Sequence, residues 1–500
     1  MKHAAIFIGI CLSAVLCAAT NAAPAPAVKT AVLPVDESRI VSGDSAVVVT
    51  EKDFQRSGVR TVAQALATVP GVYVLSRGGL AGSASVTLRG ASANSVKVLL
   101  NGAELSSAAN ANLSADIAYM PIDGIEKIEV IFGPQSARFG TGANGGVINI
   151  IMKRGTGQSA ELTAMGGMHD MWKVRAGMLF GSERFDFSLN AMQMNAHGFS
   201  AAAPTNGSGE NDGINNSVVA ARLGFNPIGD VRFGFDMYYS DTACSVDDGA
   251  YADDTDRTRT AKNVSGRFSY SQTLTSWWKH KALFQFSFSD IFDTDAISSN
   301  DIYYTEARYR TGYQCSQWQS IFTFQDIDTL LFTLDVLPKN MFLDVKTNDA
   351  MGNSVISNSN NDDNEYGSSG MWGAAGIENC LILNNSVYLT AVARMEWGSG
   401  GGTEFIMDVT YRISALIKAQ AVGLEARASA GNGKTLPAMS FGNYSMTAKN
   451  ESILGVDAGI RESMLGTILV IDVSGFYNRI TNMIIYNGIG SSMNIAQAAK

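Results

Sequence analysis

The stretch Val387-Tyr388-Leu389-Thr390-Ala391-Val392-Ala393-Arg394-Met395-Glu396-Trp397 decides the fold class. Successive side chains of a strand point to opposite sides. Val387, Leu389, Ala391, Ala393, Met395 and Trp397 therefore share one face, and Tyr388, Thr390, Arg394 and Glu396 share the other. The same period recurs along the chain. Val231, Phe233, Phe235, Met237 and Tyr239 alternate with Arg232, Gly234, Asp236 and Tyr238. Ala282, Phe284, Phe286 and Phe288 alternate with Gln285, Ser287 and Ser289, and Leu424, Ala426 and Ala428 with Glu425, Arg427 and Ser429. Segments of about 10 residues with this dyad pattern, divided by polar loops, are the mark of a transmembrane antiparallel β-barrel. Trp277-Trp278, read as a turn, suits an aromatic girdle. The alternative is a soluble β-sandwich with one wet face.

Composition agrees with a barrel. Charged residues are 17%, against about 25% in soluble proteins. The net charge of −9 argues against nucleic acid, whose binders need basic surface. Residues 1–22 read as a secretory signal: Lys2 and His3 lead, Ala4 to Ala19 is apolar, and small residues follow at the cut. That run is shorter than the roughly 20 residues of a spanning helix, and no later stretch suits one. Cys11 and Cys17 lie in the signal. Cys244, Cys315 and Cys380 remain, with no zinc spacing and room for one disulfide pair. The histidines are scattered and no catalytic constellation stands out, so no enzyme activity is expected.

Residues 23–44 read as a periplasmic linker and 45–154 as a small α/β domain. Thr50 with Asp53, and Thr61 with Gln64, resemble helix capping boxes. Val62, Ala65, Leu66 and Val69 fall on one helical face before Pro70-Gly71. Val72–Leu75, Val86–Arg89, Val96–Leu100, Ile125–Phe132 and Val147–Lys153 read as strands. Asn101-Gly102 is a hairpin turn signal. Gly140-Thr141-Gly142-Ala143-Asn144-Gly145 spells a dinucleotide-binding pattern, but a strand follows where that pattern needs a helix, so we read a tight turn.

These residues resemble a known family, the TonB-dependent outer-membrane receptors. The resemblance runs through most of residues 45–154: Val47–Phe54, Thr61–Val74, Val86–Gly90, Val98–Gly102, Ile125–Val130, Gly133–Gly140 and Gly145–Ile151. It implies a mostly β chain: an N-terminal plug inside a barrel of about 22 strands when complete, of which 155–500 supplies about 15 or 16. The chain is accordingly expected to be a shortened version of a longer protein. The family usually has Arg where Lys127 and Phe132 stand, and in relatives those arginines pair with barrel carboxylates. Lys offers a point charge without a planar fork, which implies a weaker clasp between plug and barrel.

The resemblance further implies TonB-driven uptake of a small-molecule nutrient across a Gram-negative outer membrane, with lipid and lipopolysaccharide around the wall. The candidate TonB box is Thr30-Ala31-Val32-Leu33-Pro34-Val35, an extended segment suited to strand addition; a plain linker is the alternative. The compact plug looks closest to cobalamin receptors. Candidate ligand contacts are Ser76, Arg77, Leu80 and Ala81 in one apical loop and Ser106, Ser107, Ala108 and Asn110 in the next. They lack the Arg density expected for an anionic ferric siderophore. Asp247, Asp248, Asp253, Asp254 and Asp256 crowd one barrel loop, and hard oxygen ligands at that density suit Ca²⁺; an acidic solvated loop is the alternative. A ferric siderophore or haem receptor, and a passive porin or adhesin with a static plug, remain as rival readings.

Overall fold

In the computed structural model, the described residues are 43–76, 84–105, 115–200, 211–247, 254, 256–296, 303–325, 327–349, 365–383, 386–400, 405–419, 422–435, 449–464, 469–486 and 492–499. The signal, the TonB box, Arg77, Leu80, Ala81, Ser106, Ser107, Ala108, Asn110, Asp248 and Asp253 lie outside them.

The plug begins with β1 (Ala46–Thr50), α1 (Glu51–Ser57) and α2 (Val62–Ala67). Local chemistry sets both helix starts. The Thr50 N–H donates to Asp53 Oδ2 at 2.9 Å, and Thr61 Oγ1 accepts from the Gln64 N–H at 3.2 Å. The Gln64 side chain reaches one residue further than the sequence implied, accepting from the Arg60 N–H at 2.8 Å. Val62, Ala65, Leu66 and Val69 are all buried, as their spacing requires. After β2 (Val72–Ser76) and β3 (Ala84–Leu88) come β4 (Val96–Leu100), β5 (Ala103–Leu105), β6 (Ile125–Phe132), the one-turn α3 (Ser136–Phe139) and β7 (Gly146–Met152). The central plug sheet runs β1-β6-β7-β4-β5, and β4 pairs with β7 in parallel. Asn101 and Gly102 both take positive φ, 49° and 84°, and join β4 to β5 as the hairpin signal requires. Gly140 and Gly142 also take positive φ, and β7 follows them, so that glycine pattern is a turn.

Among the described residues, sixteen antiparallel strands follow in sequence order, from β8 (Gln158–Gly166) to β23 (Ser492–Ala499). Alternation along β18 (Val387–Gly400) is as read: Leu389, Ala391, Ala393 and Met395 are exposed, and Thr390, Arg394 and Glu396 are buried. In β14 (Trp278–Asp295), Phe284 and Phe288 point out while Gln285, Ser287 and Ser289 point in. This is an apolar outside around a polar inside, the reverse of a soluble sandwich. Connections alternate in length. Only residues 276–277 join β13 (Thr258–Thr275) to β14, whereas 246–257 join β12 (Val231–Ser245) to β13. Short turns mark the periplasmic end and long loops the outer end. At the short-turn end Trp277, Trp278 and Phe322 stack with centroids about 6 Å apart, the aromatic cluster read from the sequence.

The plug lies within the wall. Its apolar core continues into Met192, Val218, Ala220 and Tyr238 of the wall strands. On other sides β5 meets β13 and β14, and α3 meets β18, β19 (Ile406–Ala419) and β20 (Leu424–Thr435). Cys244, Cys315 and Cys380 are free thiols, so the disulfide option closes.

Candidate functional site: the plug clasp and the outward recess

Lys127 pairs with Glu129 of the plug itself at 2.8 Å, not with a barrel carboxylate. The guanidinium expected at position 132 has a substitute: Arg89 lies over the Phe132 ring at 4.4 Å and over Phe476 of the barrel at 4.7 Å. Most of the clasp sits elsewhere and was not read from the sequence. Asp44, where the described plug begins, is buried between Arg138 of α3 and Arg412 of β19. Arg412 Nε donates to Asp44 Oδ1 at 2.5 Å and Nη1 to the Pro134 carbonyl at 2.8 Å. Arg138 also pairs with Glu378 of β17 (Glu365–Leu383) at 3.0 Å. Arg412 Nη2 donates to Ser429 Oγ, which donates to Asp457 Oδ2 at 2.8 Å. The Thr141 N–H donates to Glu396 at 3.1 Å, and Ser95 Oγ to Glu451 at 2.7 Å. Each of these charges would be costly alone at this depth, so each holds the others in place.

Toward the outer end the plug surface and the wall enclose a recess of about 660 Å³, counting its open mouth. Asp116, Tyr119 and Met120 of the plug face Tyr238, Arg259 and Asn263 of β12 and β13. The Asp116 carboxylate accepts from the Ala84 and Ala118 N–H groups at 3.1 and 3.0 Å. Burial pushes its pKa up against those two bonds. Tyr119 OH and Cys244 Sγ lie 3.4 Å apart. None of these residues was read from the sequence as a ligand contact; Tyr238 was named only for its place in an alternating strand and Cys244 only as a cysteine. The signal was available only in part, as polar residues on inward positions of alternating strands. Of the expected ligand contacts, Ser76 ends β2 and is exposed.

In the acidic loop, Asp254 and Asp256 come together with Asp295 at the end of β14, their ligand oxygens all within 4.8 Å. Asp247 does not join them. Its Oδ1 accepts from the Asp254 N–H and its Oδ2 from Ser200 Oγ, each at 3.0 Å, so it braces the loop. Burial and the neighbouring Asp256 carboxylate push the Asp254 pKa up, partly offset by backbone N–H donors.

Residues 40–147 match the model of the TonB-dependent receptor plug domain. The chain therefore carries a TonB-dependent receptor plug domain. Among curated relatives, the vitamin B12 transporter BtuB of Photobacterium profundum is 30% identical over 226 residues, 45% of this chain and 37% of that protein. BtuB of Vibrio vulnificus is 32% identical over 129 residues, 26% of this chain and 21% of that protein. The chain thus spans between about a fifth and little more than a third of the length of these curated relatives. Among solved structures, the ferric yersiniabactin uptake receptor FyuA of Yersinia pestis matches 91% of this chain and 74% of its own at a TM-score of 0.72 and 15% identity. The copper transporter OprC matches 91% of this chain and 75% of its own at 0.73 and 15% identity. At such identity the structures speak to the plug-and-barrel fold. With that plug and barrel, the chain is an outer-membrane protein of the Gram-negative type.

Proposed function

We propose that the receptor takes up a scarce small molecule across the outer membrane, driven by TonB, and that the molecule is cobalamin or a related corrinoid. The observation that carries the reading is the seated plug. It lies within the wall below an outward recess, and it is held by charge pairs that converge on Asp44, next to the linker. A scarce ligand needs tight capture; nanomolar binding is about −12 kcal/mol. Tight capture means slow release, and an outer membrane has no ATP with which to hasten it. A pull transmitted through Thr30–Val35 supplies the work, with TonB adding a strand to that segment. The corrinoid assignment draws on the B12 transporters among the relatives. The rival is a ferric-chelate receptor, the activity named for FyuA.

Ca²⁺ fits the same reading. Asp254, Asp256 and Asp295 offer hard oxygens within 4.8 Å of one another, part of the six to eight that Ca²⁺ takes. An ion there would tie the β12–β13 loop to the end of β14.

The test has two arms in the complete protein. Deleting Thr30–Val35 should abolish concentrative uptake and leave ligand binding intact; uptake that survives the deletion points to a passive pore. Cyanocobalamin should bind tightly, more so with Ca²⁺. No binding of it, beside tight binding of a ferric siderophore, transfers the assignment to the rival.

A further inference from the structure

Arginine is the side chain best suited to gripping carboxylates and catecholates. Along the inner wall, however, the arginines come already paired across strands. Arg222 and Arg267 both hold Asp236, each at 2.7 Å. Arg232 of β12 pairs with Asp186 of β10 (Phe185–Ala196) at 2.7 Å, and Arg154, between β7 and β8, shares that carboxylate at 3.0 Å. In the recess the pattern is sharpest. Arg259 is the only cationic side chain lining it among the described residues, and it forms a two-pronged pair with Asp293, Nε to Oδ1 at 2.7 Å and Nη2 to Oδ2 at 2.6 Å. Asp293 stands just behind the lining, and Asp116 supplies the carboxyl group of the lining itself. Counting Arg259, Asp293 and Asp116, the charge is zero if Asp116 is protonated and −1 if it is ionised. It is positive in neither state.

We propose that this recess is a subsite for an uncharged, amide- and hydroxyl-bearing ligand, and that Asp293, by occupying Arg259, is the residue that keeps multiply anionic ligands out. What remains for a ligand is the hydrogen-bonding capacity of Tyr238, Ser240, Asn263, Ser265 and Ser287, which suits neutral donors and acceptors. A polyanion entering here loses its hydration and meets a carboxylate or, at best, a neutralised pair. The proposal deepens the uptake reading and rests on it for the ligand's location. Its charge claim does not depend on the corrinoid assignment.

The test is titration calorimetry on the full chain in detergent with three probes: cyanocobalamin, a neutral ferric trihydroxamate and a triply anionic ferric tris-catecholate. The unaltered protein should prefer at least one neutral probe over the anionic one. Asp293→Asn should strengthen anion binding by about tenfold or more, in a salt-dependent way, because an unpaired guanidinium in a partly desolvated site attracts strongly. Neutral binding should change little. The double variant Arg259→Gln/Asp293→Asn should return the original preference, a rescue that a purely structural role for Asp293 does not give. Should Asp293→Asn not fold, Asn263→Lys places an unpaired cation on the same wall and should raise anion binding likewise. The proposal is overturned if the unaltered protein binds the anion as tightly as the neutral probes, if the freed or added cation leaves the preference unchanged, or if no probe binds any variant. Binding of the neutral hydroxamate without cyanocobalamin removes the corrinoid assignment and leaves the charge claim standing.

Discussion

At Asp44 one carboxylate stands between two guanidiniums, one from the plug and one from the wall. Asp44→Asn leaves Arg138 with Glu378 and Arg412 with Asp457 as the charged partners shown here. Breaking a buried pair on one side costs about 3–5 kcal/mol. We expect the variant to assemble a barrel whose plug is cut by protease at lower denaturant than the parent; equal resistance would show that Asp44 does not secure the plug. Asp254 gives a pH prediction. Its pKa stands above the ordinary value, so a proton competes for its oxygen at a higher pH than for a normal Asp. Ca²⁺ affinity should therefore be full at neutral pH and fall as acid is added, and Asp254→Asn should flatten that fall in a calcium titration. Of these residues, the sequence displayed the acidic loop, because its members crowd within ten positions. It concealed Asp295, which lies on the far side of β13, and the pair Asp44–Arg412, whose members are 368 positions apart. No local pattern encodes such a pair.

Elements governed by neighbouring residues were legible, and those governed by distant partners were not. Thr50 with Asp53, Thr61 with Gln64, and Asn101-Gly102 act within four residues, and each is where the sequence put it. β1 was named only as part of the resembling stretch Val47–Phe54 and not as a strand. It becomes a strand because Val47 to Val49 find Val130 to Ile128 of β6, a pairing that no spacing within β1 signals. The one-turn α3 was missed for a similar reason: it is too short to show a period, and it is pinned by Arg138. A sharper element-level prediction concerns Gly146, which opens β7 at φ 143°. A Cβ there would stand 2.3 Å from the Ile131 carbonyl oxygen and 2.7 Å from Leu88 Cδ1. Gly146→Ala must spread β6 from β7 or tilt β7 away from β4, at about 3 kcal/mol or more. The expected result is a correctly inserted barrel with a proteolytically labile plug; an unchanged plug would mean that the sheet yields more easily than its geometry implies.

Over the whole molecule, the period of two gave the wall and its polarity, while the family resemblance gave the plug's place inside it. Packing on several sides of the wall at once, Met192, Val218 and Tyr238 on one and β18 to β20 on another, distinguishes inside from beside. The wall also shows where lipid stops. Above Phe284, Phe286 and Phe288, the next outward position of β14 is Asp290, bonded to Arg308 of β15 (Tyr303–Phe324) at 2.6 Å. A charge pair on the outer face is costly at the bilayer midplane and nearly free at the interface. A nitroxide at position 286 should thus report an oxygen-rich, nickel-poor setting, and one at 290 the reverse; equal accessibilities would misplace this boundary.

β15 does not end at that boundary. Tyr303–Glu306 stay in register with Asp349–Lys346 of β16 (Asp328–Asp349), and at about 3.4 Å per residue the stretch from Arg308 to Tyr303 adds ~17 Å of strand. The pore mouth on this side is therefore a rigid parapet standing among the sugars of the outer leaflet. A solute that clears its lip is screened from the bulk on this side as it diffuses toward the recess below.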